Sequence, residues 1–209
     1  MHECSKTFES SSRTRGSSES KTKSLPKQYS QMKIYTKTGD LGETGVLTGK
    51  RIPKSELIIE ANGALDEATS FVGWAREQVE DEKVRDMLSQ IQHDLYEIMG
   101  YLAGALLDTK KYEAKITQFE KQIDTTTAAL PPLKRFILPQ GSEATTRLHI
   151  ARTIVRSAER RVVRYVREKT KYAESKTNQN DLLMIKYLNR LSDLFFTLSR
   201  KYAQIEKIT

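Results

Sequence analysis

Three arginines at four-residue spacing form the strongest chemical signal in this 209-residue chain. Arg152, Arg156 and Arg160 occur in a segment whose apolar positions recur with helical spacing. The apolar set comprises Leu148, Ala151, Val155, Ala158 and Val162. The guanidinium groups would therefore form a row beside the buried face of one helix. Placing a row of charges beside a buried face costs free energy unless an anion pairs with it. The segment therefore predicts an anion-binding surface.

The anion could be a carboxylate on another helix, a partner subunit or a polyphosphate. A loop over residues 36–45, rich in glycine, threonine and lysine, favours the polyphosphate. Its glycines would let backbone N–H groups approach a phosphate closely, and its hydroxyl and ammonium groups add donors. The loop has no Walker sequence. Three spaced glycines are a weak signal alone, and the arginine row strengthens it.

Composition excludes several classes of protein. The net charge is +8 but dispersed, and aromatic residues make up only 8%, so a nucleic-acid groove is not expected. No apolar run reaches the roughly 18 residues of a membrane span. The single cysteine, Cys4, allows neither an intrachain disulfide nor a thiolate metal cluster. The three histidines, His2, His93 and His149, lack a second ligand at metal spacing and are expected to be structural.

Residues 1–31 form a Ser-rich, basic stretch with little apolar content, which predicts a disordered tail. We hypothesise that the functional protein begins near Met32. Residues 32–209 would then form one domain, which is a size that permits a substantial core.

Helical periodicity dominates this domain and predicts an all-α, antiparallel five-helix bundle. The expected helices cover 55–80, 83–107, 112–129, 142–169 and 181–206. Residues 33–54 are expected to form a loop with little regular structure, and Lys169–Asn180 a polar connector. The inward face of the last helix is expected to include Leu182, Ile185, Leu188, Leu191, Phe195 and Leu198.

Two further polar positions could take part in a site. Asp66 lies near the apolar face of the first helix and could pair with an arginine of the fourth, although a solvated acidic face explains it equally well. Asn189 is a poor helix-interior residue, so it needs solvent or a specific partner. No Ser-His-Asp or Cys-His arrangement is evident. Either the protein only binds its ligand, or a substrate or cofactor supplies the nucleophile.

Five ordered motifs resemble the PduO-type ATP:cob(I)alamin adenosyltransferases over about residues 32–206. They are Thr36-Lys37-Thr38-Gly39-Asp40, Gly63-Ala64-Leu65-Asp66-Glu67, Phe136-Ile137-Leu138-Pro139, Ala151 to Arg161, and Tyr187 to Asp193. The resemblance implies a homotrimer with active sites between subunits. It also implies attack by Co(I) of reduced cobalamin on the 5′ carbon of ATP, forming adenosylcobalamin and releasing triphosphate. The metal would then supply the nucleophile that the chain lacks.

The resemblance also implies roles for individual residues. The ATP set comprises Thr36, Lys37, Thr38, Gly39, Glu43, Thr44, Lys54, Arg156, Glu159, Arg160 and Asn189. Asp66 and Arg152 would form an intersubunit salt bridge, whereas Phe136 and Asp193 would face cobalamin. Phe136 would exclude the lower axial ligand. Mg²⁺ would be held mainly by the ATP phosphates, with no protein ligand assigned.

Some features depart from the family pattern or stay open. Ser157 stands where a second arginine often follows Arg156, and the 169–180 connector is longer than usual. A reductase and a mutase are expected partners, and the expected compartment is the cytoplasm, or the mitochondrial matrix in a eukaryote. The rival functions are a non-catalytic binder of nucleic acid or acidic protein and a regulatory protein with a degenerate ATP site.

Overall fold

Five α-helices and one short β-hairpin account for the regular structure of the described residues. The computed structural model describes residues 34–47, 49–173 and 177–203. The predicted tail, residues 1–31, and the proposed start at Met32 lie outside these ranges. The chain divides into two units, Met1–Lys37 and Thr38–Thr209. The helices and strands of the described residues belong to the second unit.

The predicted all-α class with five helices is confirmed. The hairpin strands are β1 (Glu43–Gly45) and β2 (Arg51–Pro53), and the helices are α1 (Leu57–Arg76), α2 (Glu82–Leu102), α3 (Thr109–Ala128), α4 (Glu143–Ala173) and α5 (Gln179–Lys201). α4 packs against α1 and α5, α1 also packs against α2, and α3 packs against α5. No helix in the described ranges is both long and apolar enough to cross a lipid bilayer.

The apolar stripe of α4 forms the centre of the core. Leu148, Ala151, Val155, Ala158 and Val162 are all fully buried, as their spacing predicts. Two alanines in this stripe let neighbouring helices approach closely, and larger side chains of α5 fill the remaining space. The stripe therefore fixes the rotation of α4 about its axis, which determines where its arginines point.

Capping residues move several helix ends away from the predicted positions. α3 begins at Thr109 and not at 112, because the side chain of Asp108 accepts a hydrogen bond from the backbone N–H of Lys111. α4 continues to Ala173, so the predicted connector is shorter than expected. Its last turns are rich in good helix formers such as Arg167, Glu168 and Lys171, and a polar sequence alone does not end a helix.

The hairpin corrects the prediction that residues 33–54 have little regular structure. Thr44 pairs with Ile52 in antiparallel register. Beyond the strands, the N–H of Val46 donates to the carbonyl of Lys50. Gly49 adopts φ = 79°, a left-handed conformation that favours glycine. Strands of three residues are too short for alternation to be recognised in a sequence.

The predicted inward position of Leu182 is wrong, because this side chain is 48% exposed. Asp181 takes the inward position and is 1% exposed. Its carboxylate accepts a hydrogen bond from Tyr101 Oη at 2.8 Å and lies 3.5 Å from Lys169 Nζ. Hydropathy assigns an aspartate to the solvent side, whereas these partners from α2 and α4 stabilise it inside.

Candidate active site

Two of the three predicted arginines of α4 line one cavity beside α5. Arg152 and Arg156 share this cavity, of about 350 Å³, with Ser192, Asp193 and Phe196. Arg152 is partly buried, and its Nε has no hydrogen-bond partner among the described residues. Arg156 is exposed. Two cationic groups therefore face a space that an anion could fill.

Burial and like charge both act on this part of α4. Burial, followed by the charge of Arg156, lowers the pKa of Arg152. One turn earlier, His149 is 4% exposed, and burial followed by the Arg152 charge lowers its pKa to about 4. The imidazole is therefore neutral at pH 7. Within the described ranges no salt bridge neutralises Arg152 or Arg156.

Asp193 does not supply the missing anion. Its Oδ2 lies 2.7 Å from Nη1 of Arg190, whose Nε in turn lies 3.1 Å from Oε1 of Glu120. Arg190 is thus held between two carboxylates, and the acid in the cavity wall is already paired. The pairing of Arg190 was not predicted, because an isolated glutamate on α3 belongs to no recognisable sequence pattern.

Glu159 and Asn189, both predicted for the nucleotide site, lie together. Nδ2 of Asn189 donates to Oε1 of Glu159 at 3.1 Å and so joins α5 to α4. This is the specific partner that an asparagine inside a helix requires. Both side chains remain open to solvent at one edge, which leaves them free to contact a ligand.

The opposite side of α4 is neutralised within the chain. Nε of Arg161 lies 3.4 Å from Oε1 of Glu60, and Nη1 of Arg164 lies 3.8 Å from Oε2 of the same residue. Ser157, the departure from the family pattern, accepts a hydrogen bond from Arg161 at 2.8 Å. Arg160 is exposed, with Nη2 3.5 Å from the same Ser157 hydroxyl. The Ser157 hydroxyl therefore holds the side chains of Arg160 and Arg161 in place on the surface of α4.

Several residues of the predicted phosphate loop lie together around the hairpin. The backbone N–H of Lys54 donates to the carbonyl of Gly42 at 2.8 Å. A Cβ on Gly39 would lie only 3.2 Å from Nζ of Lys54, so the ammonium group packs directly against this glycine. Arg51, which sequence analysis missed, donates to the carbonyl of Thr38 and to the side chain of Glu43. Arg51 reaches Thr38 and Glu43 only because the hairpin pairs the two strands, and the sequence did not predict this hairpin.

Thr36 and Lys37 fall in the first unit of the chain. Lys37 has φ = 59°, which is unusual for a residue with a side chain. Its Nζ lies 6.0 Å from the centre of the Tyr35 ring. A left-handed backbone at this position is typical of a loop that turns its N–H groups to one side.

Asp66 lines a second cavity, of about 580 Å³, together with Thr44 of the hairpin. Its carboxylate is exposed, and it makes no salt bridge with Arg152 in the described chain. The two residues of the predicted intersubunit pair thus line different cavities of one subunit. A contact between them would have to come from a second copy.

Phe136 is 88% exposed, although it is a large apolar residue. It lies with Leu133, Lys134 and Arg135 around an open cavity of about 490 Å³ in the segment between α3 and α4. An aromatic ring presented in this way can cover a flat apolar ligand.

The described residues contain no group of three or more His, Cys, Asp or Glu side chains that could hold a metal ion. Mg²⁺ typically keeps several waters and binds to nucleotide phosphates through few protein ligands.

Comparison with known proteins identifies the family. The sequence pattern of the family described as "Cobalamin adenosyltransferase" matches residues 34–202. The chain belongs to this family. It is 43% identical over 175 residues to a corrinoid adenosyltransferase of Bacillus subtilis, covering 81% of this chain and 86% of that protein. It is 38% identical over 197 residues to human corrinoid adenosyltransferase MMAB, covering 90% and 73% respectively.

A solved structure supports the same assignment within the cobalamin adenosyltransferase family. It is a variant PduO-type ATP:corrinoid adenosyltransferase from Lactobacillus reuteri, complexed with cobalamin and ATP. The match has a TM-score of 0.72 and 32% identity, and covers 85% of this chain and 99% of that one. The predicted family, enzyme class and ATP-dependent adenosyl transfer to cobalamin are confirmed.

Proposed function

We propose that this chain transfers the 5′-deoxyadenosyl group of ATP to the Co(I) of reduced cobalamin, releasing triphosphate, in sites formed between the subunits of a homotrimer. Cobalamin supplies the nucleophile, which agrees with the absence of a Ser-His-Asp or Cys-His arrangement in the sequence. The protein then has to position two substrates and stabilise a polyanionic leaving group.

The observation that carries this proposal is the unneutralised pair Arg152 and Arg156. Two guanidinium groups in one cavity repel each other, and burial already lowers the pKa of Arg152. Binding a triphosphate would relieve this repulsion, and the contacts would strengthen as the leaving group gains charge. We assign Arg156 to the triphosphate and Arg152 to the subunit contact.

The phosphate loop would hold the other end of the same anion. We assign Thr36, Lys37, Thr38, Gly39, Glu43, Thr44 and Lys54 to it. The close approach of the Lys54 ammonium group to Gly39 supports this role, because a charge and an unobstructed backbone lie side by side. Glu43 would act indirectly by fixing Arg51, whose side chain it meets at 3.3 Å.

Glu159, Arg160 and Asn189 would contact the nucleotide beside Arg156. The hydrogen bond between Asn189 and Glu159 supports this grouping, since it fixes both side chains at the junction of α4 and α5. Arg160 is exposed one turn after Arg156 and adds positive charge.

Asp66 would meet Arg152 of a neighbouring subunit. Both groups lack a salt-bridge partner in the described part of their own chain, and each lines a separate cavity. Such a pair would complete the catalytic site and the subunit contact together. A homotrimer in which three identical contacts close a ring satisfies every copy of both residues.

Phe136 and Asp193 would face cobalamin. The high exposure of the Phe136 ring supports a role in covering the corrin face and excluding the lower axial ligand. A four-coordinate cobalt is easier to reduce, so this ring would act on the reduction step. Mg²⁺ would accompany the ATP phosphates.

A reductase that supplies the reduced corrinoid and a mutase that uses the product would be the protein partners. We propose the cytoplasm as the compartment, or the mitochondrial matrix in a eukaryotic source. Nucleic acid is not expected as a partner, because the positive charge of the chain is dispersed over several helices and few aromatic residues are interleaved with it.

The proposed reaction is tested by an anaerobic absorbance assay with chemically reduced cobalamin, Mg²⁺ and ATP. We expect loss of the Co(I) band and growth of a light-sensitive adenosylcobalamin spectrum, only when protein and ATP are both present. A folded protein that binds ATP without this conversion would contradict the proposal.

A further inference from the structure

One buried nitrogen beside the arginine cavity has no partner in the described chain. His149 is 4% exposed, and its Nδ1 makes no hydrogen bond within the described ranges. The adenosyl transfer proposed above gives this residue no role. A buried polar atom without a partner costs free energy, so the position favours a group that can form a hydrogen bond with it.

A second buried nitrogen without a partner lies on the same helix. Nε of Arg152 also makes no hydrogen bond among the described residues, and residues three apart on a helix are neighbours. Burial, followed by the Arg152 charge, lowers the pKa of His149 to about 4. The imidazole is therefore neutral at pH 7 and keeps one ring nitrogen as an acceptor, whereas the Nε–H group can only donate.

The hydroxyl groups nearest to His149 along α4 are already paired. Thr145, one turn earlier, has its Oγ1 2.9 Å from Oγ of Ser142. Thr153, one turn later, donates from Oγ1 to the carbonyl of Ile150 at 2.8 Å. Among these described neighbours on α4, the Nε–H group of Arg152 is the donor that remains.

We propose that His149 is a positioning residue, whose Nδ1 accepts a hydrogen bond from the Nε–H group of Arg152 when Arg152 meets Asp66 of a neighbouring subunit. Both partners lie on α4, so rotation of the side chains is sufficient and the backbone need not move. A hydrogen bond at Nε leaves both terminal nitrogens of the guanidinium group for the carboxylate. This inference rests on the proposed function and adds a residue that acts through Arg152.

An aromatic contact holds the imidazole at the edge of the cavity. The ring centres of His149 and Phe196 are 6.3 Å apart in an edge-to-face arrangement, and Phe196 lines the cavity that contains Arg152. A fixed imidazole would hold the guanidinium group in one orientation before the subunits meet. Less side-chain entropy is then lost when the intersubunit contact forms.

The test compares three substitutions at His149 in the anaerobic turnover assay. His149→Asn places an amide near the position of Nδ1, His149→Gln places it near the position of Nε2, and His149→Leu provides no acceptor. We expect His149→Asn to keep at least about a third of the turnover and the other two to lose about tenfold or more, as for a hydrogen bond to a charged group. ATP affinity, which is assigned to Arg156, should change little.

A double-mutant cycle separates positioning from a purely structural role. In an Asp66→Asn background Arg152 no longer meets a carboxylate, so His149→Leu should cause little further loss of turnover or of trimer. Analytical ultracentrifugation measures the same coupling without turnover. His93→Leu makes the same chemical change at an exposed position of α2 and should behave like the unmodified chain.

Three results would overturn the proposal: a His149→Leu enzyme with full turnover, a His149→Asn enzyme that loses as much as His149→Leu, or losses that add independently to those of Asp66→Asn. The last two would show that His149 contributes only packing. Failure of the proposed function would look different, because the unmodified chain would convert no cobalamin while ultracentrifugation would still report on the subunit contact.

Discussion

Two charged regions of this molecule differ in whether the described chain supplies a partner of opposite charge. Asp94 on α2 is fully buried, yet its carboxylate lies 2.8 Å from Nζ of Lys115 and 3.2 Å from Nζ of Lys111. It also accepts a hydrogen bond from Tyr187 Oη at 2.8 Å. Arg152 and Arg156 share a cavity with no salt-bridge partner in the described chain.

The difference separates a structural charge from a binding charge. The Asp94 cluster joins α2, α3 and α5, and two lysines of the same chain balance the charge of Asp94. Arg152 and Arg156 on α4 have no carboxylate partner in the described part of the chain. An unpaired, partly buried charge is maintained at a cost to stability, and a binding site is the ordinary reason.

The largest effect is expected for Asp94→Ala. Removing this carboxylate leaves Tyr187 Oη unpaired in the core and two lysines without their buried partner. Breaking a buried ion pair costs about 3–5 kcal/mol, and we expect the lower end because both lysines reach solvent. Urea unfolding monitored by circular dichroism measures the change. A loss under ~1 kcal/mol would show that the cluster is not the structural charge described here.

A charge reversal at the proposed subunit contact comes next. Asp66→Arg would oppose Arg152 of a neighbour and should lower turnover by roughly 30-fold or more, since a broken interfacial pair costs about 2–5 kcal/mol. Adding Arg152→Asp should restore part of the activity and the trimer, as measured by turnover and analytical ultracentrifugation. Glu67→Arg, which adds the same charge one residue along α1, is the matched control. Equal losses in both single variants would argue against a specific pair.

The histidine beside the cavity predicts a dependence on pH. Its folded-state pKa of about 4 is below the ordinary 6.5, so protonation opposes folding and stability falls as pH decreases from 6.5 toward 4. Between pH 7 and 5, His149 alone should remove about 2 kcal/mol of unfolding free energy. Urea unfolding of the unmodified chain and of His149→Gln at both pH values isolates this contribution. Parallel pH profiles would show that His149 does not titrate as described.

The smallest effect is expected at the exposed aromatic ring. Phe136→Ala should slow adenosylation that starts from cob(II)alamin by about tenfold, because the alanine leaves the apolar corrin face uncovered, with little change in ATP affinity. Leu133→Ala, which shortens an exposed apolar side chain of the same segment, should have less effect. A Phe136→Ala enzyme that loses ATP affinity and cobalamin turnover equally would count against the axial-ligand role.

Helical periodicity in the sequence was sufficient to predict the unpaired arginines of α4. The five apolar positions from Leu148 to Val162 determine which side of α4 is buried, and Arg152 and Arg156 then follow from their spacing. Local sequence could not reveal the Asp94 cluster, since its partners come from residues 17 to 93 positions away along the chain. The inward position of Asp181 was not predicted for the same reason, because hydropathy contains no information on its hydrogen bond with Tyr101.

The site was predicted only where motifs were continuous. Asn189 and Glu159 were each selected from separate motifs, and the structure joins them through one hydrogen bond. Arg51 was missed, because its role depends on a hairpin with strands too short to detect in the sequence.

The central claim is that Arg156, one of the two unpaired arginines of α4, receives the triphosphate of ATP. Calorimetric titration of ATP into the unmodified chain, Arg156→Ala and Arg164→Ala tests it directly, because Arg164 lies two turns along the same helix and pairs with Glu60. Arg156→Ala should weaken ATP binding about 10- to 100-fold, the range expected for a charged hydrogen bond, while Arg164→Ala should bind like the unmodified chain. Equal affinities in all three proteins would contradict the claim.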